Sequence, residues 1–302
     1  MPLAAFAQAL LAALGLSSPP DDPVAGMTPR DKAALVVVSG LPPPRGVGGV
    51  IVRRWDRHAP RPRGALVFVD QEGGGVRAFP DAPPALPAAA YRTVREAYAA
   101  GRATGRALRR LGVDVDLAPV LDAPTGPLGS RHFRSARVAL AFADGLRVSG
   151  VVPCVKHFPG LGTAPVSTDA APRVRARVTH RELIAFRHAV RRRVGCVMTS
   201  HALYQRFGGE RAVTAPRAYR LLRSWGFDGI AVTDSLSIVR SGAWHVRWAV
   251  RAARAGADLL LFTSPAHARR AIPALVPLAR RGRLDTAVRR VLELRRALVS
   301  AG

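Results

Sequence analysis

The chain has 302 residues, of which 48% are hydrophobic, enough for one large α/β barrel or two small domains with a well-buried core. Its net charge of +26 is typical of nucleic-acid binders, but no zinc-finger spacing, RNP-type aromatic run or helical basic region accompanies it. Only Lys32 and Lys156 among the 46 basic residues are lysine, so the charge indicates a compositional bias toward arginine. We therefore expect no nucleic-acid partner. Attraction to an anionic cell-wall polymer stays open.

Residues 1–16 form an apolar stretch, which is followed by a linker rich in proline and aspartate at 17–26. The stretch is short for a membrane span and lacks the basic start and A-x-A site of a signal peptide, so we expect a packed amphipathic helix or a misassigned start. We predict an N-terminal extension over 1–26 and one domain over 27–302, with no membrane span. A cytoplasmic location is expected, with the cell envelope or secretion as alternatives, and two cysteines do not decide between them.

Eight short apolar runs recur along the rest of the chain, and most are followed by a helical stretch. Continuous apolar runs indicate strands buried on both faces, and strands alternating with helices indicate a parallel sheet. Eight such units in this length predict an α/β fold, a single (β/α)₈ TIM-like barrel. The predicted strands are Ala34–Ser39, Gly49–Val52, Ala65–Asp70, Val113–Val120, Val151–Phe158, Cys196–His201, Gly229–Asp234 and Asp258–Thr263.

Helices are predicted after most of these strands but not after the first two. Thr28 followed by Pro29 is typical of a helix start. The segments at 41–46 and 53–64 are too short or too rich in proline for full helices, so we expect an irregular barrel near its first two strands. The later predicted helices are 88–111, 136–149, 179–193, 216–225, 243–256, 265–280 and 284–300.

Ionisable residues cluster at the carboxyl ends of five strands, where barrel enzymes carry their chemistry. Any one of them could be a cap or a structural ion pair, but five at one mouth indicate a site. Carboxylates with lysine, histidine and arginine suit sugar recognition and glycosyl transfer. A retaining glycosidase needs one carboxylate that attacks the anomeric carbon and a second group that acts as acid and then as base. The strand ends are DQE at 70–72, DLAPVLD at 116–122, KHFPG at 156–160, MTSH at 198–201 and VTDS at 232–235.

Those strand ends resemble the family 3 glycoside hydrolases, in particular the single-domain β-N-acetylhexosaminidases of peptidoglycan recycling. Seven segments match in order, of which KHFPG is the most specific. They are DQEGG at 70–74, LAPVLD at 117–122, SRHF at 130–133, KHFPG at 156–160, MTSH at 198–201, WGFDGIAVTDSLSI at 225–238 and AGADLLL at 255–261. The resemblance implies a retaining exo-β-N-acetylglucosaminidase that removes terminal β-linked GlcNAc from muropeptides or related glycans.

The resemblance also implies roles for single residues. Asp234, in the TDSL segment, matches the catalytic nucleophile. Lys156 gains weight from composition, because a lysine in a chain that otherwise uses arginine suggests that a compact ammonium is required. Glu72 is expected to hold neighbouring groups in place through hydrogen bonds, as part of the scaffold, rather than to act as a catalyst. The positions that match substrate-binding groups are Asp70, Arg131, Lys156, His157 and His201, the last of which could be structural.

The acid/base position departs from the family pattern. The family carries a histidine on a mobile loop, with an aspartate two residues before it, in a stretch like KHFPGHG-xxxx-DSH. Here the D-S-H triplet aligns with Ser167, Thr168 and Asp169, and Leu161 replaces another family histidine. In one interpretation Asp169 is the catalytic acid/base, with a pKa that burial or Asp234 must raise. In the other, the protein is a catalytically impaired glycan-binding pseudoenzyme.

Other departures leave the exact sugar open. The family's arginines fall at Gly75 and Ala78, whereas this chain has Arg77 between them. A β-glucosidase, or a phosphorylase that uses phosphate in place of water, is therefore an alternative within the family. The sequence implies no metal and no organic cofactor, because no His/Cys/Asp cluster has ligand spacing and the glycines at 73–75 form no G-x-G-x-x-G loop. We expect a monomer whose partner is a carbohydrate.

Overall fold

A barrel of eight parallel strands forms the centre of the protein. The computed structural model describes residues 22–171, 173–238 and 244–300, so the predicted N-terminal helix lies outside the described residues. Each of the eight predicted strands is confirmed, most with shorter ends. The strands are β1 (Val37–Ser39), β2 (Gly49–Val52), β3 (Leu66–Val69), β4 (Val115–Asp116), β5 (Val152–Phe158), β6 (Cys196–Thr199), β7 (Ile230–Thr233) and β8 (Leu260–Phe262).

The strands pair in chain order, which closes the sheet. Hydrogen-bonded neighbours run from β1 to β7, and β8 pairs with β1. A parallel bridge between Val232 and Leu259 joins β7 to the residue before β8. The predicted TIM-like barrel is therefore confirmed, and the carboxyl ends of all eight strands meet at one mouth.

Eight α-helices surround the barrel within the described ranges. They are α1 (Pro29–Leu35), α2 (Val94–Arg110), α3 (Ala136–Arg147), α4 (His180–Arg191), α5 (Pro216–Arg223), α6 (Trp244–Ala255), α7 (Pro265–Arg280) and α8 (Asp285–Ser300). In the fully described stretch 37–69, no helix follows β1 or β2, so the predicted irregular start is confirmed.

Two predicted boundaries were wrong for local reasons. The helix predicted over 88–111 is a 3₁₀ turn followed by α2, because Thr93 and Glu96 form a capping box that starts a new helix. The first strand was predicted to begin at Ala34, but Ala34 and Leu35 complete α1, which begins at Pro29 and is capped by Thr28 as predicted.

Close contact between α2 and α3 fixes the exit of the loop that follows β4. A Cβ atom added at Gly101 would lie 2.1 Å from the backbone oxygen of Phe142, and one at Gly145 would lie 2.4 Å from that of Tyr98. Any larger residue at either position would push the helices apart. The loop that carries Arg131 thus ends on a rigid support.

Asp258 ties the barrel to two surrounding helices. One carboxylate oxygen accepts a hydrogen bond from the backbone nitrogen of Ala231 at 2.7 Å and also pairs with Arg223. The other oxygen accepts from Arg290 at 2.9 Å. Because Asp258 is 1% exposed, its loss would leave two cations without their anion at a closely packed junction.

We expect Asp258→Ala to lower the free energy of unfolding by about 3 kcal/mol, the size of effect seen when one partner of a buried ion pair is removed. Asp144 offers a matched control, because it also bridges two arginines, Arg147 and Arg192, which are about half exposed. Asp144→Ala should cost less than about 1 kcal/mol. Urea unfolding measures both, and equal losses would contradict the anchoring role of Asp258.

The two cysteines lie opposite each other on neighbouring strands. Cys154 on β5 pairs in register with Cys196 on β6, and a disulfide joins them. The sequence left this pairing open, since it depends on the alignment of two strands. Across the described part of the chain, none of the helices combines the length and the apolar character that a membrane crossing needs.

Candidate active site

An ion cluster built around the buried side chains of Lys156 and Glu72 occupies the mouth of the barrel at β3 and β5. Lys156 lies 2.6 Å from Asp70 Oδ1 and 2.6 Å from Glu72 Oε1. Arg131 contacts both carboxylate oxygens of Glu72, at 2.7 and 2.8 Å. Gln71, between the two acids, bonds instead to the backbone of the loop at 79–83 and so holds the extended segment in place. Three predicted site residues, Asp70, Arg131 and Lys156, are thus brought together.

The cluster has fixed charges. Burial acts to raise the pKa of Glu72, but Lys156 and Arg131 outweigh it and lower that pKa to about 2. Burial acts to lower the pKa of Lys156, but Asp70 and Glu72 raise it well above its usual value. Glu72 therefore cannot supply a proton near neutral pH, which agrees with the scaffold role expected for it.

Asp116 adds a third carboxyl group that the sequence did not single out as a site residue. It is 0% exposed at the end of β4, and Oδ1 accepts a hydrogen bond from the backbone nitrogen of Gln71 at 3.0 Å. Burial raises the pKa of Asp116 well above its usual value. The hydrogen bond from the Gln71 backbone and the charge of Lys156 act in the opposite direction but are weaker. Two carboxylates already match two cations in the cluster, so burial favours the protonated form of Asp116 more than it would for an exposed aspartate.

His157 is held by a second acid. Its Nδ1 lies 2.7 Å from Asp122 Oδ2, and its backbone nitrogen donates to Asp122 Oδ1 at 3.0 Å. On the basis of this contact we assign the Nδ1–H tautomer to His157. In that tautomer Nδ1 donates to the carboxylate, and Nε2 is the second polar atom of the ring. Asp122 is thus a positioning residue for the predicted substrate-binding His157.

Asp234 follows β7 at the same mouth. Its Oδ1 accepts from the backbone nitrogen of Ser235 at 2.7 Å. Burial acts to raise the pKa of Asp234, but electrostatic interactions with His201, His157 and Lys156, together with the hydrogen bond from the Ser235 backbone, outweigh it, so the pKa lies below the usual value of an aspartate. Asp234 is therefore ionised at neutral pH, as a nucleophilic carboxylate has to be.

His201 lies beneath the turn that carries Asp234. It is 1% exposed, its ring packs 5.4 Å from that of Trp248, and its Nε2 lies 2.8 Å from the backbone oxygen of Ser235. Burial lowers the pKa of His201, although Asp234 acts in the opposite direction. This contact orients the residue next to Asp234 and favours the structural alternative for His201 over direct sugar contact.

The loop that carries Asp169 is firmly held where it begins. Asp122 accepts from the backbone nitrogen of Leu161 at 2.9 Å, and Glu182 accepts from that of Gly162 at 2.7 Å. The sequence analysis missed Glu182. Its T-x-x-E spacing from Thr179 is typical of a helix start, which the structure has, but nothing in the sequence shows that the same carboxylate reaches Gly162.

Asp169 itself is exposed at the mouth, so the burial expected for an acid/base carboxylate is absent in this arrangement of the loop. Its backbone nitrogen donates to Ser167 Oγ at 3.2 Å, and that hydroxyl lies 3.4 Å from Asp169 Oδ2. Burial acts to lower the pKa of Arg131, but Glu72, Asp70 and Asp169 raise it well above its usual value. Asp169 thus lies within electrostatic range of the ion cluster, and its hydrogen bonds join it to the residue at the family's dyad position.

Arg77 does not replace the missing family arginines as a free sugar ligand. Its guanidinium donates to the backbone oxygens of Gly74 at 2.9 Å and of Pro80 at 2.6 Å. These bonds brace the loop beyond β3. Arg77 therefore offers no free guanidinium in place of the arginines that the family pattern has at Gly75 and Ala78.

Comparison with known proteins decides the family. Residues 52–294 match the family described as "Glycosyl hydrolase family 3 N terminal domain". The chain belongs to glycoside hydrolase family 3. The family resemblance of the strand ends is confirmed, as is the prediction of an enzyme that hydrolyses O-glycosyl bonds.

Relatives and solved structures agree with this family. A "Beta-hexosaminidase" of Methylococcus capsulatus is 33% identical over 220 residues, covering 65% of this chain and 66% of that protein, which is just under two thirds of its length. "Beta-hexosaminidase LpqI" of Mycobacterium tuberculosis is 31% identical over 295 residues, covering 79% and 74%. The crystal structure of a family 3 member from Mycobacterium smegmatis superposes with a TM-score of 0.79 at 29% identity, covering 90% and 98% of the two chains.

Proposed function

We propose that this family 3 member is a retaining exo-β-N-acetylglucosaminidase that removes terminal β-linked GlcNAc from muropeptides or related glycans. One observation carries the proposal: Asp234 is an ionised carboxylate at the end of β7, engaged by a single backbone donor among the described contacts and flanked by His157 and His201. The relatives named beta-hexosaminidase support the class of sugar. So does a family 3 β-N-acetylglucosaminidase of Paenibacillus, 27% identical with a TM-score of 0.77.

The proposed reaction has two steps. A carboxylate oxygen of Asp234 attacks the anomeric carbon while the bond to the leaving oxygen breaks, and Asp169 gives that oxygen its proton. The resulting carboxylate of Asp169 then takes a proton from water, whose oxygen attacks the anomeric carbon and releases Asp234. The hydroxyls of the bound sugar meet Asp70, Lys156, Arg131 and His157, whose positions are fixed before substrate arrives.

Asp169 has to approach the leaving oxygen for this mechanism to work. The first residues of its loop, Leu161 and Gly162, are held by Asp122 and Glu182, while a turn from Ser167 to Ala170 exposes Asp169. Movement of this turn relative to the held start of the loop is the simplest way to bring the carboxyl group over the sugar.

We expect Asp169→Ala to separate the two steps. With a 2,4-dinitrophenyl β-N-acetylglucosaminide, whose leaving group needs little acid, the variant should release about one equivalent of phenol in a burst and then turn over slowly. With a GlcNAc disaccharide, kcat/KM should fall about 10²- to 10⁴-fold, the usual contribution of a general acid. Stopped-flow absorbance and product chromatography measure the two substrates.

Added azide and a rebuilt dyad sharpen this test. Azide attacks without a base, so it should restore turnover of the aryl substrate by Asp169→Ala and yield a β-glycosyl azide. Ser167→Asp combined with Asp169→His should recover disaccharide hydrolysis. Asp228→Ala, an exposed acid at the far end of the barrel, serves as the control. An Asp169→Ala enzyme with unchanged disaccharide hydrolysis would show that another group is the acid.

The alternatives give different products. A β-glucosidase would prefer aryl β-glucoside to aryl β-GlcNAc, and a phosphorylase would form sugar 1-phosphate only when phosphate is present. A glycan-binding pseudoenzyme would bind GlcNAc without a burst. We expect hydrolysis of the GlcNAc substrate with β-GlcNAc as the first product in NMR spectra, independent of phosphate. A monomeric state and a cytoplasmic location stay predictions; the Cys154–Cys196 disulfide is more typical of oxidising compartments.

A further inference from the structure

A cavity of about 540 Å³ lies at the end of the barrel opposite the mouth. Its walls are the segments 43–47 and 60–65, which lead into the amino-terminal ends of β2 and β3, together with Arg295 of α8. We call it the basal cavity. In the described stretch 37–69 no helix follows β1 or β2, so proline-rich loops bound this side of the barrel instead. The volume lies within the range of about 300–1,000 Å³ that is typical of small-molecule sites.

Two guanidinium groups are fixed at the basal cavity by backbone oxygens. Arg61 donates to the oxygen of Leu111 at 2.6 Å, and Arg295 donates to that of Gly48 at 2.9 Å. Gly48 directly precedes β2, and Leu111 lies between α2 and β4, so both contacts are at the amino-terminal end of the sheet. These bonds use only part of each guanidinium's donors and hold it in position before a ligand arrives.

The basal cavity has positive walls and no acid among its lining residues. The four arginines that line it are Arg45, Arg61, Arg63 and Arg295. Arg45 and Arg63 are exposed, and within the described ranges neither side chain forms a hydrogen bond or an ion pair. The acid that acts on both of the others is Asp114, which already accepts from the Val67 backbone nitrogen at 2.8 Å and lies 3.9 Å from Arg109. Positive charge is therefore in excess at this end of the barrel.

Burial acts on these cations without an equal counter-charge. It lowers the pKa of Arg61 and of Arg295, although Asp114 acts in the opposite direction on both. The Nε atom of Arg295 is buried and, across the described part of the chain, has no hydrogen-bond partner. Arg131 in the ion cluster at the mouth shows the reverse balance, because burial lowers its pKa less than the neighbouring acids raise it. An anion in the basal cavity would therefore stabilise groups that the fold leaves uncompensated.

The chemistry of the walls favours a phosphorylated ligand. A guanidinium presents paired N–H donors that match two oxygens of one phosphate group. Four guanidinium groups can serve two linked phosphoryl groups, whereas a single phosphate ion would leave some of them unused. Prolines in both wall segments add apolar surface, and because their backbone φ angles are fixed, the walls are shaped in advance.

We propose that the basal cavity binds the diphosphate group of a small molecule, with Arg61 and Arg295 on its inner side and Arg45 and Arg63 at its opening. The site lies at the opposite end of the barrel from Asp234 and uses none of the proposed catalytic residues. It does not rest on the proposed function, so its test needs no sugar substrate.

Titration calorimetry with sodium pyrophosphate should show one site per chain, and inorganic phosphate should bind at least about 10-fold more weakly. Arg45→Ala and Arg63→Ala should each weaken pyrophosphate binding about 10-fold, the scale of one hydrogen bond to a charged group. Thermal denaturation without ligand checks that both variants fold. Arg217→Ala is the matched control, an exposed arginine on α5, which lies between β6 and β7 on the other side of the barrel. Tighter binding of uridine diphosphate than of pyrophosphate would assign the site to a nucleotide, and equal binding would assign it to pyrophosphate itself.

The net charge of +26 supplies the competing explanation, a diffuse attraction of any polyanion to the surface. Under that explanation Arg217→Ala costs as much affinity as Arg63→Ala, and Arg63→Lys binds as the wild type does. For the proposed site, Arg217→Ala leaves the affinity unchanged, and Arg63→Lys recovers only part of the loss because an ammonium has no paired donors. Several weakly bound ions per chain, or binding to long polyphosphate but not to pyrophosphate, would also overturn the site.

Discussion

Replacing Asp234 with asparagine is expected to reduce kcat/KM for an aryl β-N-acetylglucosaminide by at least about 10⁴-fold, the scale seen when a covalent nucleophile is removed. The amide keeps the size and the bond from Ser235 but cannot attack the anomeric carbon. The initial-rate assay should be run with Asp228→Asn as the matched control, since that residue is an exposed aspartate outside the mouth. A loss smaller than about 100-fold would point to a different nucleophile.

The pH profile of the wild type checks the same residue. Only the ionised form of Asp234 is nucleophilic, so activity should fall as pH decreases through its pKa. Because the two neighbouring histidines, Lys156 and the Ser235 backbone together more than offset burial and place that pKa below the usual aspartate value, the acid limb of kcat/KM should lie below the pH at which a free aspartate titrates. An acid limb near pH 6 would contradict this assignment.

Replacing Glu72 with alanine should cost both stability and activity. The side chain is 3% exposed and neutralises Lys156 and Arg131 at contacts of 2.6 to 2.8 Å. Without it, Lys156 remains fully buried with only Asp70 as its anion, so we expect a loss of about 3–5 kcal/mol in the free energy of unfolding. The sugar-binding groups would also lose their fixed positions, and KM should rise.

The pH dependence of the free energy of unfolding separates the contribution of the Glu72 charge from that of the side chain's size. Its pKa in the folded protein, about 2, lies below the unfolded value, so the ionised form stabilises the fold above about pH 4, and this contribution disappears as pH falls toward 2. Glu72→Gln keeps the shape without the charge. Urea unfolding should show a clear deficit for Glu72→Gln at pH 7 that narrows at pH 3. A deficit that does not change with pH would mean that the ion pairs contribute little.

The sequence predicted the barrel because buried parallel strands leave continuous apolar runs, which β2 shows in its full length from Gly49 to Val52. It placed the candidate site at one mouth because Asp70 and Asp234 directly follow such runs and Lys156 lies near the end of another. The sequence did not reveal the contacts between distant segments. The bonds of Glu182 to Gly162 and of Asp122 to His157 depend on how loops meet, and no local pattern encodes them.

The surroundings of each acid likewise had to come from the structure. Asp116 and Asp70 look alike in sequence, as carboxylates at neighbouring strand ends. Their partners distinguish them. Lys156 contacts Asp70 at 2.6 Å, whereas Asp116 is fully buried and accepts a hydrogen bond from a backbone nitrogen. The orientation of Asp169 is of the same kind: sequence alignment gives its position in the loop, but not its exposure at the mouth.

The most direct test of the account is to trap the covalent intermediate. A 5-fluoro-N-acetylglucosaminyl fluoride carries a leaving group that needs little acid, and its second fluorine slows hydrolysis of the glycosyl-enzyme. Mass spectrometry after peptic digestion should find one sugar on the peptide that contains Asp234, in the wild type and in Asp169→Ala, and none in Asp234→Asn. A sugar on any other residue, or no adduct from an enzyme that turns over the ordinary substrate, would contradict the assignment of Asp234 as the nucleophile.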